Sequence, residues 1–300
     1  MTERRSPILR VGWIGLGIMG RPMAENVLRA GFQVLAYNRT PARREAFVAS
    51  GGRVAGSPRE VAALSDIVVT MVSDTPDVEE VVFGTSGAAE GMRAGSALVD
   101  MSTISPKATR QFARRLGERG VDYLDAPVSG GESGAIAATL SIMVGGEAAA
   151  FECCRPLFDA LGTRVTHVGP VGSGQSTKLV NQVAVLGNLL ATCEAIRLGG
   201  AAGLDLDRVI DAVGAGAGGS WQLTNLGPKI VERNFAPGFP VRLARKDLRL
   251  ILEAAEDLCL PLPGVALVQQ LFSALAALGG ENDGTQALIE VFDRLAKKPQ

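Results

Sequence analysis

Three hundred residues hold a single histidine, His167. That scarcity excludes His-rich metal sites, and it excludes an ordinary Ser-His-Asp triad unless this one residue serves it. Its place at the end of a strand favours a structural role. Cysteine is also sparse: Cys153, Cys154, Cys193 and Cys259 form no CxxC pair. Adjacent cysteines rarely bridge one another, so the four read as packing residues, and no metal site is expected. Charge of one sign is missing too, since 30 Lys+Arg stand against 31 Asp+Glu for a net charge of -1. Without a long run of one sign, neither nucleic acid nor an anionic membrane is the expected partner. No uninterrupted apolar run reads as a membrane span. The first residues, Met1 to Pro7, lead straight into a short apolar strand with no separate apolar signal region and small-residue cleavage site. They read as the start of an untargeted cytoplasmic chain.

What the chain does have is glycine, 37 residues of it, with 47% hydrophobic residues, as in a compact α/β protein with many tight turns. An alternating strand and helix pattern runs to about residue 170, and a helical one follows. That change predicts two domains, 1–169 and 170–300. Arg10 to Ile14 forms a short apolar strand and enters Gly15-Leu16-Gly17-Ile18-Met19-Gly20, followed by a helical pattern through Met23, Val27 and Leu28. Gly15 would allow the tight turn, Gly17 the close approach of a pyrophosphate, and Gly20 close packing of helix on strand. A glycine motif alone is weak, but strand before and helix after make it strong.

The second strand, Gln33 to Tyr37, ends where a dinucleotide fold would place an acid on the ribose 2′-hydroxyl. Here the residues are Asn38-Arg39-Thr40. A guanidinium suits a 2′-phosphate, so NADP is favoured, with NAD possible and Arg39 able instead to stack on adenine. Ser57-Pro58-Arg59-Glu60 predicts a helix start. Asp66 to Val72 reads as a buried strand whose carboxyl end, Met71-Val72-Ser73, lies where open α/β sheets bind ligands. Strands are also expected at Ala97 to Met101, Val121 to Asp125, Leu140 to Val144 and Thr163 to Val168, with a helix over Ala148 to Leu161. Thr103 follows the first of these as a candidate cofactor contact or a helix-capping hydroxyl. Ser129-Gly130-Gly131 offers a hydroxyl and approachable N–H groups before a short helix. It is a carboxylate cradle or an ordinary glycine turn.

From Gly172 the pattern is helical to the end. A helix starting near Gln175 places Lys178, Asn181 and Gln182 on one face, a cation beside two amides. No charged residue follows Lys178 until Glu194, so that helix is expected to be buried with its lysine at the entrance. A desolvated ammonium can exchange a proton with a substrate oxygen, and the bland alternative is a lysine that snorkels to water. Val241 to Leu258 reads as a strong helix in which Lys246 and Asp247 interrupt a leucine-rich surface, and charges of this sort mostly face water.

These residues resemble the β-hydroxyacid dehydrogenases, essentially end to end. The run from Gly15 to Ala24 is similar to that family's cofactor signature, and Asp125 to Gly131 to its substrate signature. Gly172-Ser173-Gly174 with Lys178 and Asn181 is similar to the catalytic signature, and Lys246-Asp247-Leu248 to the C-terminal one. The resemblance implies a Rossmann-type doubly wound sheet with an all-α C-terminal domain joined by a long interdomain helix, and a homodimer or homotetramer. It implies Lys178 as acid/base beside Asn181 and Gln182, Ser129 to Gly131 on the substrate carboxylate, and Thr103 and Lys246 on the cofactor side. Trp221 and Phe239 are candidates for an apolar substrate pocket. The sequence departs from the family at Gln182, where many members have asparagine, and at Ala138, where glycine is usual. Gln182 leans towards the tartronate semialdehyde reductase branch, and the 3-hydroxyisobutyrate branch is the alternative. A dinucleotide-binding regulator without turnover is a rival from another class, and an intact Lys178 and cradle count against it. The small carboxylate is the expected partner.

Overall fold

The computed structural model describes residues 10–296. The stretch Met1 to Pro7, read above as untargeted, lies outside the described residues. Two compact units are present, Met1–Lys178 and Leu179–Gln300.

The first unit alternates strand and helix. Its elements are β1 (Arg10–Ile14), α1 (Gly20–Arg29), β2 (Gln33–Tyr37), α2 (Pro41–Ala49), β3 (Arg53–Val54), α3 (Pro58–Ala63), β4 (Ile67–Thr70), α4 (Thr75–Phe83) and α5 (Ala88–Gly91). They continue as β5 (Ala97–Asp100), α6 (Pro106–Gly117), β6 (Asp122–Asp125), β7 (Val128–Ser129), α7 (Gly131–Ala137), β8 (Leu140–Gly145), α8 (Ala148–Asp159) and β9 (Gly162–Gly169). The helix starts follow side-chain chemistry. Ser57 accepts from the Glu60 N–H at α3, Asp74 from Thr75 at α4, and Ser105 from Ala108 at α6. Pro at the first turn recurs in all three. Ser105, not Thr103, therefore caps α6.

The sheet runs β3-β2-β1-β4-β5-β6-β8-β7, with β9 also paired to β8. Strands β1 to β6 pair in parallel, while β8 is antiparallel to β6 and β7. Every residue of β4 and β5 is buried, as befits strands covered on both faces. Because side chains alternate across a strand, the two faces feed separate cores. Val11, Trp13, Val69 and Val99 join one, and Ile14, Val68 and Leu98 join the other. The two-residue strands β3 and β7 are additions to the sequence expectation, being too short to leave a period-2 signal.

The second unit is helical. The helix α9 (Ser173–Ala201) enters it from the first unit and is followed by α10 (Leu206–Gly214), α11 (Trp221–Val231), α12 (Val241–Asp257), α13 (Pro263–Ala277) and α14 (Ile289–Leu295). Its core gathers Leu186, Leu189 and Cys193 of α9 with Leu248 and Ile251 of α12 and Phe272 of α13. By length and composition α9 could cross a membrane, with a mean hydropathy of 1.4 over its most apolar stretch, 39% of it buried. No such run was expected from the sequence. One side of it, with Leu186, Leu189, Cys193 and Ile196, belongs to the core of the second unit, and its Gln182 bonds an acid of α12, whereas Val180 and Leu198 on another side are exposed.

Candidate functional site

The first unit turns from β1 to α1 through the glycines, at the point where the order of the sheet reverses between β1 and β4. Close approach explains two of them. A Cβ on Gly15 would lie 2.2 Å from the Met71 carbonyl oxygen, and one on Gly20 would lie 2.1 Å from that of Gly15. The turn is braced from below by the buried Trp13, whose indole N–H donates to Gly15 O at 3.0 Å. Asn38 braces it from the side, its Oδ1 accepting the Leu16 N–H at 2.9 Å. Asn38 therefore acts on the turn itself, with its other end on Thr40 O.

Gly17 differs from its neighbours, because a Cβ there would meet only the Arg43 guanidinium, 3.6 Å away. Helix α1 also starts at Met19 without a side-chain cap. An open backbone, uncapped helical N–H groups and a guanidinium fit the diphosphate of a dinucleotide. Arg39 and Thr40 are exposed at the start of α2, and Arg43 lies one turn further on. Arg43 was not singled out from the sequence; its four-residue spacing from Arg39 was the available signal. Ile18 is exposed, and Leu16 is buried in the core behind the turn.

Met71, Val72 and Ser73 leave the end of β4 next to the turn, where Met71 N–H bonds Ile14 O and Val72 N–H bonds Ser102 Oγ at 3.0 Å. Thr103, half-buried, sits in a loop held on both sides. Ser102 N–H reaches the Asp100 carboxylate at 3.1 Å, and the Gln175 side chain spans Ser102 O and Ile104 N–H. Asp100 is fully buried and also accepts from Thr70 Oγ1 and Tyr123 Oη. Burial pushes its carboxyl above the usual range, and burial followed by the nearby Asp100 charge pushes the Tyr123 phenol well up.

The cradle sequence hangs from β6 and β7. Ser129 pairs with Ser141 of β8 and is half-buried, while Gly130 and Gly131 are exposed with φ of 139° and 63°, which side chains disfavour. Helix α7 starts there with no side-chain cap, and Asn26 of α1 holds its far turn through Ala135 O at 2.7 Å. The glycine turn and the cradle are thus tied through two helices. Lys178 lies in the first turns of α9 and is 7% exposed.

In the second unit Asn181 Nδ2 donates to Gln182 Oε1 at 2.8 Å, and Gln182 Nε2 donates to Asp247 Oδ2. Lys246 Nζ lies 2.9 Å from Asp247 Oδ1, with only 11% and 3% of the two side chains exposed. The expectation that these charges face water is corrected here: Asp247 turns inward, where Gln182 donates to its Oδ2 and Lys246 forms an ion pair with it. Trp221 is 57% exposed at the start of α11, and Phe239 is half-buried just ahead of α12. His167 is structural, bonding Gly146 O at 2.8 Å and stacking on Phe151. Cys154 and Cys193 pack in the cores, whereas Cys153 and Cys259 are exposed and are not packing residues. Among the described residues no cluster of three or more His, Cys, Asp or Glu could hold a metal ion.

Residues 10–169 match the model of the NAD binding domain of 6-phosphogluconate dehydrogenase, and residues 172–292 the NAD-binding model of NADP-dependent 3-hydroxyisobutyrate dehydrogenase. The chain is 45% identical over 288 residues to 2-hydroxy-3-oxopropionate reductase of Escherichia coli, covering 96% of this chain and 98% of that one. Its fold is similar to the crystal structure of a 3-hydroxyisobutyrate dehydrogenase from Salmonella typhimurium, with TM-score 0.86, 32% identity and coverage of 95% and 100%. It is also similar to Psf3 in complex with NADP+ and 2-OPP, with TM-score 0.87, 26% identity and coverage of 94% and 99%. With matches spanning nearly its whole length, the chain belongs to the β-hydroxyacid dehydrogenase family, oxidoreductases that act on hydroxyacids with a nicotinamide dinucleotide.

Proposed function

We propose that this chain is an NADP-preferring reductase that interconverts a short carboxylate-bearing semialdehyde, of the tartronate semialdehyde or glyoxylate type, with its hydroxyacid. The observation that carries this reading is a buried lysine, Lys178, in the same compact unit as the glycine turn and the Ser129 to Gly131 loop. When bound, the nicotinamide dinucleotide supplies or accepts the hydride. The N–H groups at Gly130 and Gly131 and the Ser129 hydroxyl hold the carboxylate and so orient the carbonyl. Lys178 gives its proton to the carbonyl oxygen as charge develops there, and takes it back in the oxidative direction. Asn181 and Gln182, on the next turn of α9, orient that exchange. Arg39 and Arg43 support the preference for NADP, since both place guanidinium groups around the start of α2 with no acid on Asn38 to repel a 2′-phosphate.

The identity to the Escherichia coli reductase favours the shorter, more polar substrates. A second reading, 3-hydroxyisobutyrate dehydrogenase, is favoured by the match of residues 172–292 and by the Salmonella structure. The reading includes a homo-oligomer: Val180, Ala184, Gly187, Ala191 and Leu198 lie along one side of α9, all exposed, and a second copy would cover that stripe.

Lys178→Ala tests the chemistry. It should lower kcat by roughly two to four orders of magnitude while NADPH binding and the fold persist. Lys178→Arg should not rescue it, because a guanidinium does not give up its proton. Near-normal turnover of Lys178→Ala at saturating substrate would show the reading to be wrong.

A further inference from the structure

Asp125 closes β6, immediately ahead of the cradle segment, and its carboxylate is buried. Both oxygens are spent on the start of α9. Oδ1 accepts the Gly172 N–H and Oδ2 the Gln175 N–H, each at 2.8 Å. The slot around the carboxylate is tight. A Cβ on Gly145 would lie 2.6 Å from Asp125 Oδ1, and one on Gly174 would lie 2.9 Å from Oδ2 and 2.4 Å from the Asp125 carbonyl. Glycines on β8 and α9 therefore let helix and sheet close on the acid, and a longer side chain has no room. Gln175, held by that carboxylate through its own N–H, grips the loop around Thr103 with its side-chain amide, Oε1 to Ile104 N–H at 3.1 Å and Nε2 to Ser102 O at 2.8 Å. Lys178 is one turn beyond Gln175, and Ser129 is four residues beyond Asp125.

We infer that Asp125 is a positioning residue: by bonding the first turn of α9 through both carboxylate oxygens it sets Lys178, the Ser129 to Gly131 cradle and the Thr103 loop in one register. The inference rests on the reading of Lys178 as the acid/base. A carboxylate can serve two N–H donors in this way, but protonation turns one oxygen into a hydroxyl, a donor and a poorer acceptor, and so weakens one of the two bonds. Burial pushes the Asp125 carboxyl up to about 6, against the lowering effect of the N–H groups of Gly172 and Gln175. The charged and titratable groups bearing on this cluster are Asp100 of β5, Tyr123 of β6 and, lying over Gly172 from α6, Arg110; β8 brings Gly145 and the Met143 carbonyl, neither of which titrates.

The sign of the linkage separates geometry from stability. A carboxyl raised in the folded state binds its proton more tightly folded than unfolded, so its contribution to stability increases as the pH falls from about 6 towards the ordinary carboxyl value of 3.8. Acid should therefore release the first turn of α9 and stop turnover without unfolding through this group.

The test uses the full-length enzyme with NADPH and glyoxylate, comparing wild type, Asp125→Asn and Lys178→Ala for kcat between pH 5 and 9, NADPH Kd and Tm. Asp125→Asn should lose about 10- to 100-fold in kcat, as misplacement of a reacting group does. Its NADPH Kd should stay within about twofold, since the glycine turn is untouched. The acid limb of the wild-type profile, near pH 6, should disappear. Wild-type kcat with the acid limb intact would overturn the inference, and so would a parallel loss of kcat, cofactor affinity and Tm. If Asp125→Asn does not fold, wild type decides. Amide exchange at Gly172 and Gln175, corrected for its intrinsic pH dependence, should accelerate as kcat falls below pH 6, and unchanged protection would overturn the inference. An active Lys178→Ala would instead remove the acid/base reading beneath it, while an inactive Lys178→Ala beside a normal Asp125→Asn would remove this inference alone.

Discussion

Ala138 ends α7 with φ 56° and ψ 38°, the left-handed conformation usual for glycine at a helix end. A Cβ there costs roughly 1–2 kcal/mol, and glycine returns part of that gain through the added freedom of the unfolded chain. Ala138→Gly should therefore stabilise the protein by about 0.5–1 kcal/mol, read as a rise in Tm. An unchanged or lower Tm would show that the strain is relieved elsewhere. At Arg39 and Arg43 the consequence is selectivity: the KM for NADPH should lie below that for NADH, and Arg39→Ala should narrow the gap. The loss should be on the order of 1.5–3 kcal/mol, the worth of a charge-assisted contact. Equal or better performance with NADH in the unaltered protein would contradict it. The glycine turn was readable from sequence because its chemistry is that of backbone and spacing. Arg43 was not, since its return to Gly17 depends on where α2 begins. Asp125 stood out only as the first residue of the substrate signature; its hold on α9 was hidden, because its two partners lie 47 and 50 residues along the chain and a buried acid has no local pattern.

At the scale of elements, α9 and α12 show how a polar group is kept inside an apolar packing. Asp247 takes the amide of Gln182 and the ammonium of Lys246, and removal of one partner from such a buried pair costs about 3–5 kcal/mol. Asp247→Ala should accordingly lower stability by that order in urea unfolding, and Asp247→Asn by less, because it keeps an acceptor for Gln182. A loss below about 1 kcal/mol for Asp247→Ala would place the pair in solvent, as the sequence had suggested. Capping residues revealed the start of α3, the helical pattern revealed α8 and α12 to within a residue or two, and the apolar blocks Ile67–Thr70 and Ala97–Asp100 revealed two central strands. The inward turn of Asp247 was not legible, because it follows from which neighbours surround α12 and not from the pattern of α12 itself.

For the whole molecule, the alternating half and the helical half could be told apart from composition and periodicity, and the motifs fell in order along them. The boundary between compact units lies inside α9, after Lys178, and a continuous helix leaves no composition break to mark it. The proposed chemistry requires a substrate held by its carboxylate. That requirement is tested by kcat/KM with NADPH for glyoxylate against methyl glyoxylate, with tartronate and methylmalonate semialdehydes alongside. The N–H donors of Ser129 to Gly131 should favour the acid by roughly 1.5–3 kcal/mol, about 10- to 150-fold, and tartronate semialdehyde or glyoxylate should lead methylmalonate semialdehyde. An ester turned over as well as its acid would contradict that requirement.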